Sequence, residues 1–116
     1  PLLTVNDACQ TGHTQSEAEL LDRAHRIQDA TYELRNVAID AVLELTRAIA
    51  SAASDGTASA GALESARDYH RQAQFLAHFI EAENSMGFHA PQEAMRVLGH
   101  SLNYARLGMA AVLGGS

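Results

Sequence analysis

One uninterrupted apolar stripe with the period of a helix constrains this chain more than any other feature. Between Leu20 and Ala52, apolar or small residues recur at alternating steps of four and three. A pattern of this kind that continues over more than four heptads predicts a long helix that packs against other helices. We expect this helix over about residues 15–54, after the capping box Thr14–Glu17 and before the turn at Asp55-Gly56. The stripe consists of Leu20, Ala24, Ile27, Thr31, Leu34, Ala38, Ala41, Leu45, Ala48 and Ala52.

Two shorter helices of the same period follow. The second is expected over about residues 60–86, with Gly87 just beyond its end, and the third over about 91–113, with Pro91 in its first turn. The expected apolar faces are Leu63, Ala66, Tyr69, Ala73, Leu76 and Phe79 or Ile80 on the second helix, and Met95, Leu98, Leu102, Ala105, Met109 and Val112 on the third.

These elements predict an all-α fold. Because short connections make neighbouring helices antiparallel, residues 14–113 are expected to form a three-helix up-down-up bundle, followed by a flexible tail at 114–116. The first helix is longer than the other two, so part of its stripe lacks a partner within the chain. We therefore expect a homodimer built on the long helices. A lone three-helix bundle with a protruding helix is the alternative.

Composition argues against several classes of function. The 116 residues include 14 acidic and eight basic ones, all eight being arginine, which gives a net charge of −6. An acidic chain with scattered arginines is a poor candidate for binding nucleic acid. No run of apolar residues approaches the length needed to span a membrane, and a single cysteine forms no internal disulfide. No catalytic serine set, phosphate loop or paired carboxylates indicate hydrolysis.

The segment most indicative of chemistry is Cys9-Gln10-Thr11-Gly12-His13. In the C-x-x-C-H motif, two thiols add to the vinyl groups of haem and the histidine becomes an axial iron ligand. Cys9 and His13 have the spacing of the first cysteine and the histidine, while Gly12 replaces the second cysteine. Residues 1–13 are therefore expected to form an extended haem-attachment segment with a single thioether. The alternatives are a free thiol beside a capping histidine, or a zinc site that lacks a convincing third ligand.

Two segments near opposite ends of the chain carry a family resemblance. Residues 1–13, with the helical sequence Arg-Ile-Gln-Asp-Ala-Thr at 26–31, resemble the last haem site of the ammonia-forming cytochrome c nitrite reductases. Residues 82–94 contain Gly-Phe-His-Ala-Pro-Gln-Glu and resemble the C-terminal G-F-H-x-P-Q-E segment of that family. The resemblance covers essentially the whole chain, but corresponds only to the C-terminal region of a longer multihaem protein.

The resemblance implies a bis-histidine haem c that transfers electrons. Cys9 and His13 match the thioether cysteine and the proximal histidine, and His89 matches a histidine that the family uses as an axial ligand. Which haem His89 serves is left open, and His25 is a second candidate distal ligand, although a surface role is favoured for it. The family's catalytic haem and nitrite-binding residues lie upstream, so no catalytic residue is assigned here.

We therefore interpret the chain as a haem c-binding electron-transfer module similar to the C-terminal part of a periplasmic nitrite reductase. Its expected partners are electron donor or acceptor proteins, and a second copy or another haem-bearing chain. Since haem c is attached outside the cytoplasm, the parent is expected to be exported, and a chain that begins at Pro1 is expected to be a processed or cropped product. The alternative function is a haem-free helical dimerisation or assembly module derived from that region. His70 and His78 are expected to face solvent or a dimer partner, and His100 to lie on the surface.

Overall fold

The computed structural model describes residues 16–85 and 91–114, which contain three α-helices and no strand. Helix α1 spans Glu17–Asp55, α2 spans Ala60–Ser85 and α3 spans Pro91–Gly114. The prediction of an all-α chain with three helices is confirmed for these residues. None of the three helices is long and apolar enough, over its described residues, to cross a bilayer.

Local hydrogen bonds explain where α1 and α2 begin and where α1 ends. The Oγ atom of Ser16 accepts from the Glu19 amide at 3.1 Å, so Ser16 is the observed N-cap of α1, whereas the predicted capping residue Thr14 lies outside the described residues. At the other end, the Thr57 amide donates to the Ala52 carbonyl at 3.1 Å across Gly56, whose φ is +69°. This is a Schellman-type ending that requires the left-handed conformation glycine adopts readily. Ser59 caps α2 through the Ala62 amide in the same way.

The chain divides into two compact units, Pro1–Ala30 and Thr31–Ser116. In the first unit, the described residues form the N-terminal part of α1. All side chains from Leu21 to Ala30 are exposed, and an ion pair joins Arg26 Nη2 to Asp22 Oδ2 at 3.0 Å one turn earlier.

Among its described residues, the second unit contains a core of three clusters arranged along the helices. Residue numbers rise from cluster to cluster along α1 and α3 and fall along α2, so α2 runs antiparallel to the other two helices within this unit. The buried members are Ala38, Ile80, Ala94, Val97 and Leu98 in the first cluster, Val42, Ala73 and Ala105 in the second, and Leu45, Ala52, Ala66 and Val112 in the third.

Small residues set how closely these helices approach. A Cβ atom added to Gly108 would lie 2.6 Å from Leu45 Cδ2, so α3 packs directly onto the fully buried side chain of Leu45. Ser101 is fully buried, and its hydroxyl donates to the Ala73 carbonyl at 2.7 Å, which joins α3 to α2. A buried hydroxyl is tolerated because this bond satisfies it.

Two predictions about core faces are refined by the structure. On α2, Ile80 is buried whereas Phe79 is exposed, which resolves the alternative left open by the sequence. On α3, the prediction that Met95 lies in the core is wrong: Met95 is 37% exposed, and its neighbours Ala94 and Val97 are buried instead. Ala94 precedes Met95 by one residue and Val97 follows it by two. The buried face of α3 is therefore rotated around the helix axis relative to the predicted face.

Candidate functional site

The predicted haem ligands Cys9, His13 and His89 all lie outside the described residues. Their places in the sequence are nevertheless defined by the helices. His13 precedes the start of α1 by four residues, and His89 belongs to the connection of five residues between Ser85 and Pro91. The ligand set therefore stays a prediction from sequence.

The remaining candidate for a distal ligand, His25, is exposed on α1. Within the part of the chain that the structure describes, no group of three or more histidine, cysteine or acidic side chains is placed to hold a metal ion. The described residues therefore offer no ready-made cluster for the zinc alternative.

Three of the described residues in the second unit are histidines, and one of them has a specific contact. His78 and His100 are exposed, whereas His70 is half-buried and its Nε2 lies 2.7 Å from Thr46 Oγ1. The same hydroxyl also lies 2.9 Å from the Val42 carbonyl, to which it can donate while it accepts from a His70 N–H. The contact between Thr46 and His70 links α1 to α2.

The environment of His70 favours its neutral form. Burial lowers the pKa of this histidine below its ordinary value of 6.5, and the neighbouring Arg71 cation lowers it further. The sequence did not reveal this role, because the partner Thr46 lies on another helix and its spacing in the chain carries no signal.

Arg35 is a second residue that the sequence analysis missed. Its side chain is only 28% exposed, and its Nε atom is buried without a hydrogen-bond partner. Glu81 Oε1 on α2 lies 4.0 Å from this Nε atom, and the guanidinium carbon lies 5.2 Å from the centre of the Tyr32 ring. The three-residue spacing of Tyr32 and Arg35 on one helix was the available signal, but it does not indicate burial.

Two grooves are formed by described residues of the second unit. One, of about 280 Å³, is lined by Arg71, Gln72, Phe75, Leu76 and Tyr104, and the exposed ring of Phe75 stacks on that of Phe79. The other, of about 470 Å³, lies between α1 and α3 and combines apolar with charged side chains. It is lined by Val37, Asp40, Ala41, Glu44, Leu102, Ala105, Arg106 and Met109.

Comparison with known proteins identifies one group of relatives. The family model for cytochrome c552 matches residues 1–114. Proteins named cytochrome c-552 from Parabacteroides distasonis and Bacteroides thetaiotaomicron are each 34% identical over 116 aligned residues, and the one from Porphyromonas gingivalis is 33% identical. Each alignment covers 97% of this chain but 23% of the relative, so the chain spans less than a quarter of their length. No solved structure matches the chain significantly.

Proposed function

We propose a function for this chain from the premise that it belongs to the cytochrome c552 family, whose model matches nearly its whole length. Membership supports a cytochrome c-type role in electron transfer and implies that haem c is the cofactor. The finer assignments below come from this chain's own residues and from the resemblance of its two terminal segments to the ammonia-forming nitrite reductases.

The attachment site that we propose is Cys9-Gln10-Thr11-Gly12-His13, and its spacing is the observation that carries the proposal. Cys9 would hold the haem through a single thioether to one vinyl group, and His13 would be a ligand of its iron. Gly12 has no thiol, so a second thioether is impossible within this motif. Haem c, when bound, supplies an iron that changes oxidation state by one electron.

His89 is the residue that we propose as the second axial ligand, with His25 as the alternative. A second imidazole would leave no open position on the iron for a substrate, so the group would serve electron transfer. The chain then corresponds to the C-terminal part of an exported, periplasmic nitrite reductase, and catalysis belongs to a region that these 116 residues do not include. Its electron-transfer partners would be other haem-bearing proteins or domains.

Absorption spectroscopy tests this proposal directly. The chain is exported through a pathway that attaches haem c, purified, and examined oxidised, reduced with dithionite, and as the pyridine haemochrome. We expect a Soret band and a reduced α-band displaced from that of doubly attached haem c. Cys9→Ser should abolish the covalent link, and His13→Ala should change the spectrum, while the exposed control His100→Ala should leave both unchanged.

The alternative function predicts a different result. A chain with no visible absorption after export would be a haem-free helical assembly module, in which the change at Gly12 has removed the site. An unaltered spectrum and haem content in His13→Ala would show that the axial assignment is wrong.

We also propose that the chain forms a homodimer through α1 and α3. The groove of about 470 Å³ between these helices carries exposed Val37 beside Asp40 and Glu44 on one side and Arg106 on the other. A two-fold interface brings the same surface of both copies together, so acidic and basic groups of this groove can pair between copies. Sedimentation equilibrium should detect a dimer that Val37→Glu weakens. Phe75→Glu, on the opposite groove, is the control, and a monomer at all concentrations would favour the lone bundle.

A further inference from the structure

Helix α3 carries a second stripe with the heptad period, outside the core and along its groove with α1. None of the residues of this stripe is buried, and Leu113 at its end is 75% exposed. Across the groove, Val37 of α1 is half exposed. A face with this period is the surface with which one helix packs against another. The stripe consists of Met95, Gly99, Leu102, Arg106, Met109 and Leu113.

The charges of this groove are separated by sign. Asp40 and Glu44 line it on α1, whereas Arg106 lines it on α3. Within the described part of the chain, none of these three side chains forms an ion pair. Because Leu45 packs against Gly108 and the two helices run in the same direction, Glu44 and Arg106 lie at nearly the same height along them.

A second copy can cover the groove in two limiting orientations that keep two-fold symmetry. If the symmetry axis runs along the helices, α1 of each copy lies parallel to α3 of the other, and heights are preserved. Glu44 then faces Arg106 of the partner subunit. If the axis runs across the helices, α1 packs antiparallel on α1 and α3 on α3, so that like charges face each other. The distribution of charge therefore favours the parallel orientation.

We propose that two copies of this chain associate in parallel, with Glu44 of each copy paired to Arg106 of the partner subunit. This inference rests on the homodimer proposed above and adds its orientation and the side chains that select it. Symmetry produces two equivalent pairs, one at each side of the apolar surface. Exposed ion pairs contribute little affinity, but like-charge contacts penalise the antiparallel arrangement, so the charges act mainly on specificity.

Charge reversal followed by sedimentation equilibrium tests the pairing. Glu44→Arg and Arg106→Glu each replace two attractive contacts with two repulsive ones, and each should raise the dissociation constant of the dimer on the order of tenfold. An equimolar mixture of the two variants should dimerise as tightly as the unaltered chain, because every contact again joins opposite charges. Glu64→Arg and Arg67→Glu are the same changes at exposed positions of α2, and should leave the constant unchanged.

The outcomes separate this inference from the homodimer on which it rests. An unaltered chain that stays monomeric at all concentrations would refute the homodimer and the inference together. A dimer that neither reversal weakens would keep the homodimer and overturn the parallel pairing.

A loss in both variants that mixing does not restore would also overturn the pairing, because the charges would then act within one copy. Circular dichroism shows whether each variant keeps its helices. The salt dependence of the unaltered dimer is a test without substitution: salt should weaken the parallel dimer by screening attraction, whereas it would strengthen an antiparallel one.

Discussion

The two parts of α1 carry the same four-three repeat, but their apolar side chains differ in burial. In the first unit, stripe residues such as Ile27, which is 41% exposed, remain accessible to solvent. In the second unit, Ala38 and Leu45 of the same stripe are completely buried, and Ala52 is nearly so. The helix is continuous across both parts, so helix formation does not depend on burial of the stripe at every turn.

The difference shows which property a heptad repeat specifies. Periodicity determines that a helix forms and which of its faces is apolar. Burial depends on what lies opposite, and for Ala38 and Leu45 the opposite surfaces are buried residues of α2 and α3. The exposed part also carries Asp22, Arg23 and Arg26, whose charges help to solvate it.

The largest expected effect comes from truncating one leucine in each part of α1. Leu45→Ala should lower the free energy of unfolding by about 3 kcal/mol, because it removes a fully buried side chain and leaves a cavity. Leu21→Ala removes the same atoms from a residue that is 39% exposed. It should lower the free energy of unfolding by about 0.5 kcal/mol. Urea unfolding followed by circular dichroism measures both. Equal losses of unfolding free energy in the two variants would mean that the two parts of α1 are equally packed, which would contradict the difference in burial between them.

Sequence periodicity was sufficient for the fold class but not for every buried residue. The three helices follow from the apolar repeat together with turn residues such as Gly56. Phe79 and Ile80 are adjacent on α2 and differ by 100° around the helix, so both lie near the edge of the apolar face and only packing distinguishes them. The same limit explains Met95, an apolar residue whose place in the core is taken by Ala94 and Val97.

The candidate haem site stays a prediction, and the signals behind it are local in the sequence. Cys9 and His13 are recognised by their spacing, and His89 by its resemblance to a family segment, although all three lie outside the described residues. Arg35 and His70 acquire their significance from contacts with other helices. Contacts between residues of different helices produce no regular spacing in the sequence, so only the three-dimensional structure reveals them.

A pair of glycines on α3 extends the comparison between packed and open positions. Gly108→Ala should lower the free energy of unfolding by about 1–2 kcal/mol, because the new Cβ atom would meet Leu45 Cδ2 at 2.6 Å and this overpacking outweighs the gain in helix propensity. Gly99→Ala meets nothing within 4 Å and should instead stabilise the helix by about 0.5–1 kcal/mol. Thermal unfolding of the two variants should therefore shift in opposite directions, and a shared direction would contradict the close approach of α3 to α1.

Ser101 tests the same contrast for a polar group. Ser101→Ala removes the hydrogen bond to the Ala73 carbonyl and should cost about 1 kcal/mol, since that carbonyl can keep its bond within α2. Ser51→Ala, at an exposed position of α1, should leave stability unchanged within about 0.5 kcal/mol. Urea midpoints compare the two variants. A neutral Ser101→Ala would mean that the bond between α3 and α2 contributes nothing net.

The smallest expected effect concerns pH and the half-buried His70. Burial and Arg71 hold the pKa of His70 below 6.5 in the folded chain, while the unfolded chain binds the proton near that ordinary value. As the pH falls below 6.5, the unfolded state therefore takes up the proton first, and stability declines until the folded pKa is passed. The contact with Thr46 is compatible with this change, because the protonated ring can donate from Nε2 to the Thr46 hydroxyl. The loss is therefore small and arises from placing a cation in a partly covered position beside Arg71.

Urea midpoints at pH 7.5 and pH 5.5 measure this contribution. The decrease between the two pH values should be smaller in His70→Gln than in the unaltered chain, because glutamine does not titrate. His78→Gln removes an exposed histidine from the same helix and should leave the decrease unchanged. If His78→Gln has the same effect as His70→Gln, the pH dependence belongs to the histidines in general rather than to the covered position of His70. A pH effect confined to His70 would show that the half-buried histidine and the exposed one differ in how their protonation changes the free energy of unfolding.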